Sequence, residues 1–76
     1  MSKITPLHYK KLVKVLKKKG CYFIRQKGDH LIYHKEGIKR PLIVPAYSDI
    51  PVFIILNLIR TAKISRERFL RNLKKV

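Results

Sequence analysis

The apolar side chains near the start of the chain recur at the spacing of an amphipathic helix. They are Tyr9, Leu12, Val13 and Leu16. Thr5 followed by Pro6 is typical of a helix start, because a hydroxyl caps free amides and proline fits the first turn. Gly20 is typical of the residue that follows a helix end. The pattern therefore predicts a first helix between Thr5 and Gly20, with a row of lysines on another side: Lys10, Lys14 and Lys17.

The middle of the chain is rich in aromatic and β-branched residues and is interrupted by two glycine turns. We predict strands over residues 21–26, 29–35 and 39–45. The turns between them are Lys27-Gly28 and Glu36-Gly37. Two short turns in succession predict an antiparallel meander, and Pro41 indicates that the third strand lies at an edge.

The last third of the chain returns to helical spacing. Ser48 or Asp49 is predicted to cap a helix from about Pro51 to Ala62, and Ser65 to cap a short final helix. The order α-β-β-β-α, with this extra helix, predicts an α+β fold. Its three-stranded antiparallel sheet has both helices on one face and leaves the other face open. The arrangement is like that of double-stranded-RNA-binding domains, an analogy of fold that does not by itself establish function.

The net charge indicates what kind of partner the chain binds, which the hydrophobic pattern cannot show. The 76 residues include 19 Lys+Arg against 4 Asp+Glu, a net charge of +15. The four acids are scattered and cannot neutralise one face, so the chain should attract phosphates. A hydrophobic share of 46% is too high for a disordered basic tail. We predict one folded domain over residues 1–76 that binds nucleic acid. Lysine rows are usually solvated surface, but this excess of charge favours contact with RNA.

Several classes of protein and site are disfavoured. Cys21 is the single cysteine, which excludes an internal disulfide and a multi-cysteine zinc site and suits a reducing cytosol. The dispersed acids predict no two-metal centre, and no glycine-rich nucleotide loop is present, so we predict no metal and no cofactor. The longest apolar stretch, residues 50–59, contains Pro51 and Asn57, whereas a membrane span needs roughly 20 residues. A cytoplasmic protein without a membrane or secretory segment is expected.

The segment from Arg25 to His30 carries the candidate chemistry. In the second strand His30, Ile32 and His34 share one face, and Leu31 and Tyr33 share the other. Placing Leu31 and Tyr33 against the helices leaves His30 on the open face. Imidazole can accept one proton and donate another near neutral pH. RNA supplies its own nucleophile, the 2′-hydroxyl, so one histidine among cations could suffice for cleavage without a metal.

The neighbours of His30 fit contact with a phosphate backbone. Gly28 has no side chain, so a phosphate could approach closely there. Arg25 and Lys27 are predicted to contact phosphate. The strand tyrosines could also stack on bases, although Tyr33 is expected in the core.

A plainer interpretation stands beside the catalytic one. A lone histidine in a short strand is more often structural or merely exposed, and one candidate base is a nonspecific signal. His34 and His8 are weaker candidates still. Composition and spacing therefore leave open a non-catalytic RNA-binding module, and a DNA-binding regulator is disfavoured because no clear recognition helix is seen.

An ordered series of short elements spans nearly the whole chain. It comprises Leu12-x-x-x-Leu16 before Gly20, Arg25-Gln26-Lys27-Gly28-x-His30, Tyr33, Val44-Pro45, Ile50-Pro51 and Ile64-Ser65-Arg66-x-x-Phe69-Leu70. In this order and spacing the sequence resembles the HicA-type toxins of type II toxin–antitoxin systems. The resemblance implies a small ribonuclease that cuts messenger RNA and is silenced by a HicB-type antitoxin. It also implies that His30, which matches the histidine of the family's Gly-Ser-His motif, is catalytic.

The sequence departs from the family pattern at three places. Asp29 stands where the family usually has serine, and Tyr47 lies in a region where many relatives carry histidine. Small polar residues common after Ile-Pro are replaced by the apolar residues 52–54.

These apolar residues make the second helix apolar nearly all round. We expect Val52, Ile55, Leu56 and Ile59 to face the sheet. Ile54 and Leu58 then need other cover. Either the final helix folds over them, or they form a surface for the antitoxin or for a second copy of the chain.

Overall fold

The chain folds into three helices and one sheet. The structure, a computed structural model, describes residues 3–76. Its elements are α1 (Tyr9–Lys18), β1 (Tyr22–Lys27), β2 (His30–His34), β3 (Leu42–Pro45), α2 (Val52–Thr61) and α3 (Arg66–Leu73). The strands are antiparallel in the order β1-β2-β3. The predicted α+β fold, with a dsRBD-like order of elements, is confirmed.

The hydrophobic core lies between the helices and the inner face of the sheet. On the strands, Tyr33 is 4% exposed, and Leu42 and Val44 are fully buried. They form one cluster with apolar side chains of all three helices: Leu12, Val13, Val15, Leu16, Ile55, Leu58, Ile59 and Phe69. Leu31 is partly buried and packs against the same cluster. The placement of Leu31 and Tyr33 against the helices is therefore confirmed, and the outer face of the sheet is left open.

A bulge interrupts β1. Phe23 pairs with Tyr33, but the next pair is Arg25 with Ile32, so Ile24 is the extra residue. In a regular strand, residues two apart share a face, so Phe23 and Arg25 would point the same way. The bulge shifts the alternation by one residue. Phe23 meets Tyr33 edge to face at 5.6 Å on the inner side, while Arg25 turns to the open side.

The first helix starts later than predicted. Thr5 and Pro6 lie before it, and His8 is the N-cap, its Nδ1 accepting a hydrogen bond from the Lys10 amide at 3.2 Å. The cause is pairing of the preceding segment with the loop before α2. Leu7 and Ile50 exchange backbone hydrogen bonds of 3.3 and 2.7 Å, which keep this segment extended.

The connection between β2 and β3 is longer than the short turn predicted. The third strand begins only at Leu42, and the connection around Gly37 is held by its buried Ile38 side chain. Two lysines tie this part of the chain to the end of α2. Lys35 Nζ donates to the Ala62 carbonyl oxygen at 2.8 Å, and Lys63 Nζ donates to the Gly37 carbonyl oxygen at 3.0 Å.

The second helix has Pro51 as its N-cap and no side-chain capping bond, so the predicted cap at Ser48 or Asp49 is wrong. The fixed φ of proline suits a helix start without such a cap. Leu58 is buried and Leu56 only partly so, the reverse of the predicted arrangement of these two.

The last helix forms as predicted, and Ser65 Oγ accepts a hydrogen bond from the Arg68 amide at 3.2 Å. It packs mainly against α1, and Ile54 on α2 stays partly buried. Among residues 3–76, none of the helices combines the length and apolar character that crossing a bilayer requires.

Candidate nucleic-acid interface

A tight hairpin turn sets the position of the candidate site. Lys27 and His30 are paired residues, so Gly28 and Asp29 form a two-residue loop between β1 and β2. Gly28 has a φ of 58°, the positive angle that the first residue of such a turn favours in glycine. Gln26 Nε2 donates to the Gly28 carbonyl oxygen at 3.1 Å. No heavy atom would lie within 4 Å of a Cβ at Gly28, so the turn is open to an approaching backbone.

His30 is exposed on the open face of the central strand. Its Cα partners are Lys27 on β1 and Pro45 on β3. The backbone at this end is fixed, since the Ala46 amide donates to the Asp29 carbonyl oxygen at 2.7 Å. The predicted presentation of this imidazole to solvent is confirmed, on a backbone held from both sides.

Two cations share the open face with His30. Lys27 lies directly opposite His30 on the neighbouring strand, a position at which Cβ atoms are about 4.5–5.5 Å apart. Arg25 is the diagonal neighbour of His30, a position at which residues are roughly 7–8 Å apart. Both side chains are exposed. The structure therefore brings together the four residues predicted for the site: Arg25, Lys27, Gly28 and His30.

The rest of the open face is apolar and aromatic. Beside Arg25 lie Ile32, which is half-buried, and Ile43, which is 50% exposed. Tyr22 is paired with His34 at the far end, with ring centroids 6.1 Å apart. Strict alternation does not predict this pair, because the bulge in β1 puts Tyr22 on the same side as Arg25. The signal was present: an apolar Phe23 and a cationic Arg25 two residues apart favour opposite faces.

The other histidine, His8, has a local structural role. It is the N-cap of α1, and its ring stacks on Tyr9 with centroids 4.9 Å apart. It lies in the helical layer, outside the open face of the sheet. Its side chain is exposed, and its capping bond was not predicted from the sequence.

The inner side of the sheet contains groups held in their neutral form. Burial raises the pKa of the Cys21 thiol, which nearby Lys35 lowers to a smaller extent. Burial also raises the pKa of Tyr33. Within residues 3–76 no group of three or more His, Cys, Asp or Glu side chains is placed to hold a metal ion.

Fold and surface together define a class, the small, strongly basic α+β proteins with a dsRBD-like order of elements. Residues 9–64 match the family model described as "HicA toxin of bacterial toxin-antitoxin". The chain therefore belongs to the HicA toxin family and is the toxin component of a toxin–antitoxin system, with an antitoxin as its partner. The matched region contains the whole candidate site and ends before α3. None of the curated proteins and none of the solved structures compared matches the chain.

Proposed function

We propose that this toxin is an endoribonuclease that cuts messenger RNA, with His30 as its general acid–base group. The observation that carries the proposal is the exposed imidazole of His30, held on the central strand beside Arg25 and Lys27 and next to an open glycine turn. Proton transfer by such a group typically contributes about 10²–10⁴-fold to rate.

The chemistry requires only what RNA and these side chains supply. His30 takes the proton of the 2′-hydroxyl as that oxygen forms a bond to phosphorus. The bond from phosphorus to the 5′ oxygen breaks, and the protonated imidazole returns a proton to the leaving oxygen. Arg25 and Lys27 stabilise the charge that develops on the phosphate, and Gly28 lets the backbone come close. The products are a 2′,3′-cyclic phosphate and a 5′-hydroxyl.

The antitoxin is proposed to be of the HicB type and to cover this face. A chain of net charge +15 binds an acidic partner quickly, because complementary charge raises association rates. Covering the open face would block His30 from RNA. The expected result is that antitoxin added to equimolar amount stops cleavage, and that high salt slows its association.

The central experiment compares two histidine substitutions in single-turnover cleavage of RNA. His30→Ala should lower the rate about 10²–10⁴-fold and leave RNA affinity and thermal stability near those of the wild type. The matched control is His8→Asn, which removes an imidazole but keeps a good N-cap, and which should cut normally. A 2′-deoxy substitution at the cleaved nucleotide should block cutting by the wild type without loss of binding.

Two results would contradict the proposal. Cleavage by His30→Ala at the wild-type rate would remove His30 from the mechanism. Wild-type toxin, purified free of antitoxin, that binds RNA with steep salt dependence and never cuts it would be a non-catalytic RNA-binding module.

A further inference from the structure

An aromatic pair lies at the end of the open face away from the hairpin turn. Tyr22 and His34 are Cα partners, with ring centroids 6.1 Å apart and ring planes at 49°. Tyr22 is 47% exposed and His34 is half-buried beside it. Because of the bulge in β1, this pair shares one surface with Arg25 and His30.

We infer that Tyr22 and His34 form a subsite on which an unpaired base of the substrate RNA stacks, so that the substrate is single-stranded. The inference rests on the proposed function, since it places RNA on the same face. Aromatic side chains on a sheet hold the bases of single strands by stacking, whereas paired bases in an A-form helix are inaccessible to such contacts. The exposed ring of Tyr22 has no apolar role in the core that would explain its position.

The spacing along β2 fixes where the stacked base lies. His30 and His34 are four residues apart, which is about 13 Å at the rise of a strand. Stacked nucleotides rise about 3.4 Å each, so at most about four nucleotides separate the stacked base from the cleaved linkage. The subsite therefore selects for an unpaired nucleotide at a constant offset from the cut.

The composition of the face favours RNA over a protein as the occupant of this subsite. The acidic antitoxin proposed to cover this face would suit Arg25 and the apolar Ile32 and Ile43, which lie in one row, but it has no need of a pair of aromatic rings. Lys27 and His30 form the next row, and the chain has a net charge of +15. A ribbon of phosphates with exposed bases matches both the cations and the aromatic pair.

The test measures RNA binding in a His30→Ala background, where the oligonucleotide stays intact. An unstructured RNA carries one 2-aminopurine at successive positions, and its fluorescence falls where the base stacks on a ring. Tyr22→Ala should weaken affinity about 5- to 140-fold, as expected for loss of one stacked base. Tyr22→Phe should restore it. The matched control is Phe53→Ala, which removes an aromatic side chain that is 67% exposed on α2 and should change nothing.

A double-mutant cycle makes the test specific. Removing the base at the quenched position should weaken binding to the parent protein and leave binding to Tyr22→Ala unchanged. Circular dichroism of each variant checks that the fold is kept.

The outcomes separate this inference from the proposed function. If the wild type cuts RNA but Tyr22→Ala binds as well as its parent, or a fully paired duplex binds equally well, the subsite is overturned and the nuclease stands. If the wild type never cuts, but quenching depends on Tyr22, the subsite stands and the nuclease falls. Loss of antitoxin binding with unchanged RNA binding in Tyr22→Ala would assign the pair to a protein partner and overturn the inference.

Discussion

The two faces of β2, a strand of five residues, differ in role: the inner face stabilises the fold, and the outer face presents residues proposed to contact RNA. On the inner face, Tyr33 is buried and Leu31 packs against the core cluster. On the outer face, His30 is exposed and His34 is half-buried beside Tyr22. Because successive side chains of a strand point to opposite faces, core residues and exposed residues alternate along β2 and stay on separate faces.

The core holds the candidate site in position but does not shield it from solvent, since its side chains are exposed. The inner face holds the backbone, so His30, Arg25 and Lys27 need no hydrogen bonds among themselves to share one surface. Substitutions on the inner face should therefore change stability, and those on the outer face should change RNA binding and cleavage.

Adjacent residues of β3 give the largest expected difference. Leu42 is fully buried, whereas Ile43 is 50% exposed on the outer face. Leu42→Ala should lower the free energy of unfolding by about 2–5 kcal/mol, because it leaves a cavity. Ile43→Ala should cost less than about 1 kcal/mol, within the range of strand preferences. Urea denaturation measures both, and equal losses would refute the division into two faces.

The cations of the outer face should control the salt dependence of RNA binding. The double substitution Arg25→Gln with Lys27→Gln should reduce the slope of log affinity against log salt by about 1.4, since each phosphate contact to a single strand contributes about 0.7. Lys14→Gln, on the exposed side of α1, is the control for loss of charge. If its effect per charge is as large, the RNA lies across the helix instead of the sheet.

A side chain at Gly28 should destabilise the hairpin turn because of the backbone conformation at this position. Gly28 has a φ of 58° with open space around it. Gly28→Ala should therefore destabilise the fold by roughly 1–2 kcal/mol through strain, and Gly28→Asn by less, because asparagine visits this region more readily. Thermal unfolding measures the effect. A rate of cleavage that falls further than stability explains would support close approach of the RNA backbone.

The smallest expected effect is a loss of stability in alkaline solution that originates on the inner face. Burial raises the pKa of Cys21 above its ordinary 9.0 and that of Tyr33 above its ordinary 10.0. Above these values the unfolded chain has lost protons that the folded chain keeps, so stability falls as pH rises. Cys21→Ala removes the thiol contribution, whereas the titration of the lysines is common to both proteins. From about pH 8 to about pH 10.5, the wild type should lose more stability than Cys21→Ala, and parallel curves would contradict this.

Most of the fold could be predicted from sequence because its local signals agree with one another. Helical spacing, the Gly28 turn and the Ser65 cap each indicated the element that the structure contains, whereas the connection around Gly37 is longer than the short turn predicted. The errors arose where a distant partner decides the conformation. Thr5 and Pro6 would suit a helix start, but pairing of Leu7 with Ile50 keeps this segment extended, and no local pattern shows that pairing.

The candidate site could be predicted in part. His30, Arg25, Lys27 and Gly28 lie within six consecutive residues, so a hairpin brings them together almost automatically. The aromatic pair was not predicted because Tyr22 and His34 lie on different strands, and only the contrast between Phe23 and Arg25 indicates the bulge that aligns them. The proposed catalytic role of His30 follows from the resemblance to the family and not from the residues alone, because a single candidate base is a nonspecific signal.

The bulge in β1 also affects how copies of this protein meet. β1 is an outer strand with unpaired backbone groups and exposed apolar side chains, a combination that invites open-ended stacking into fibrils. If β1 of a second copy paired with this edge, the ladder of hydrogen bonds would be interrupted at Ile24. The arginine and lysine of that copy would also lie against Arg25 and Lys27. The bulge that puts Tyr22 and Arg25 on one face is therefore also expected to disfavour edge-to-edge pairing between copies.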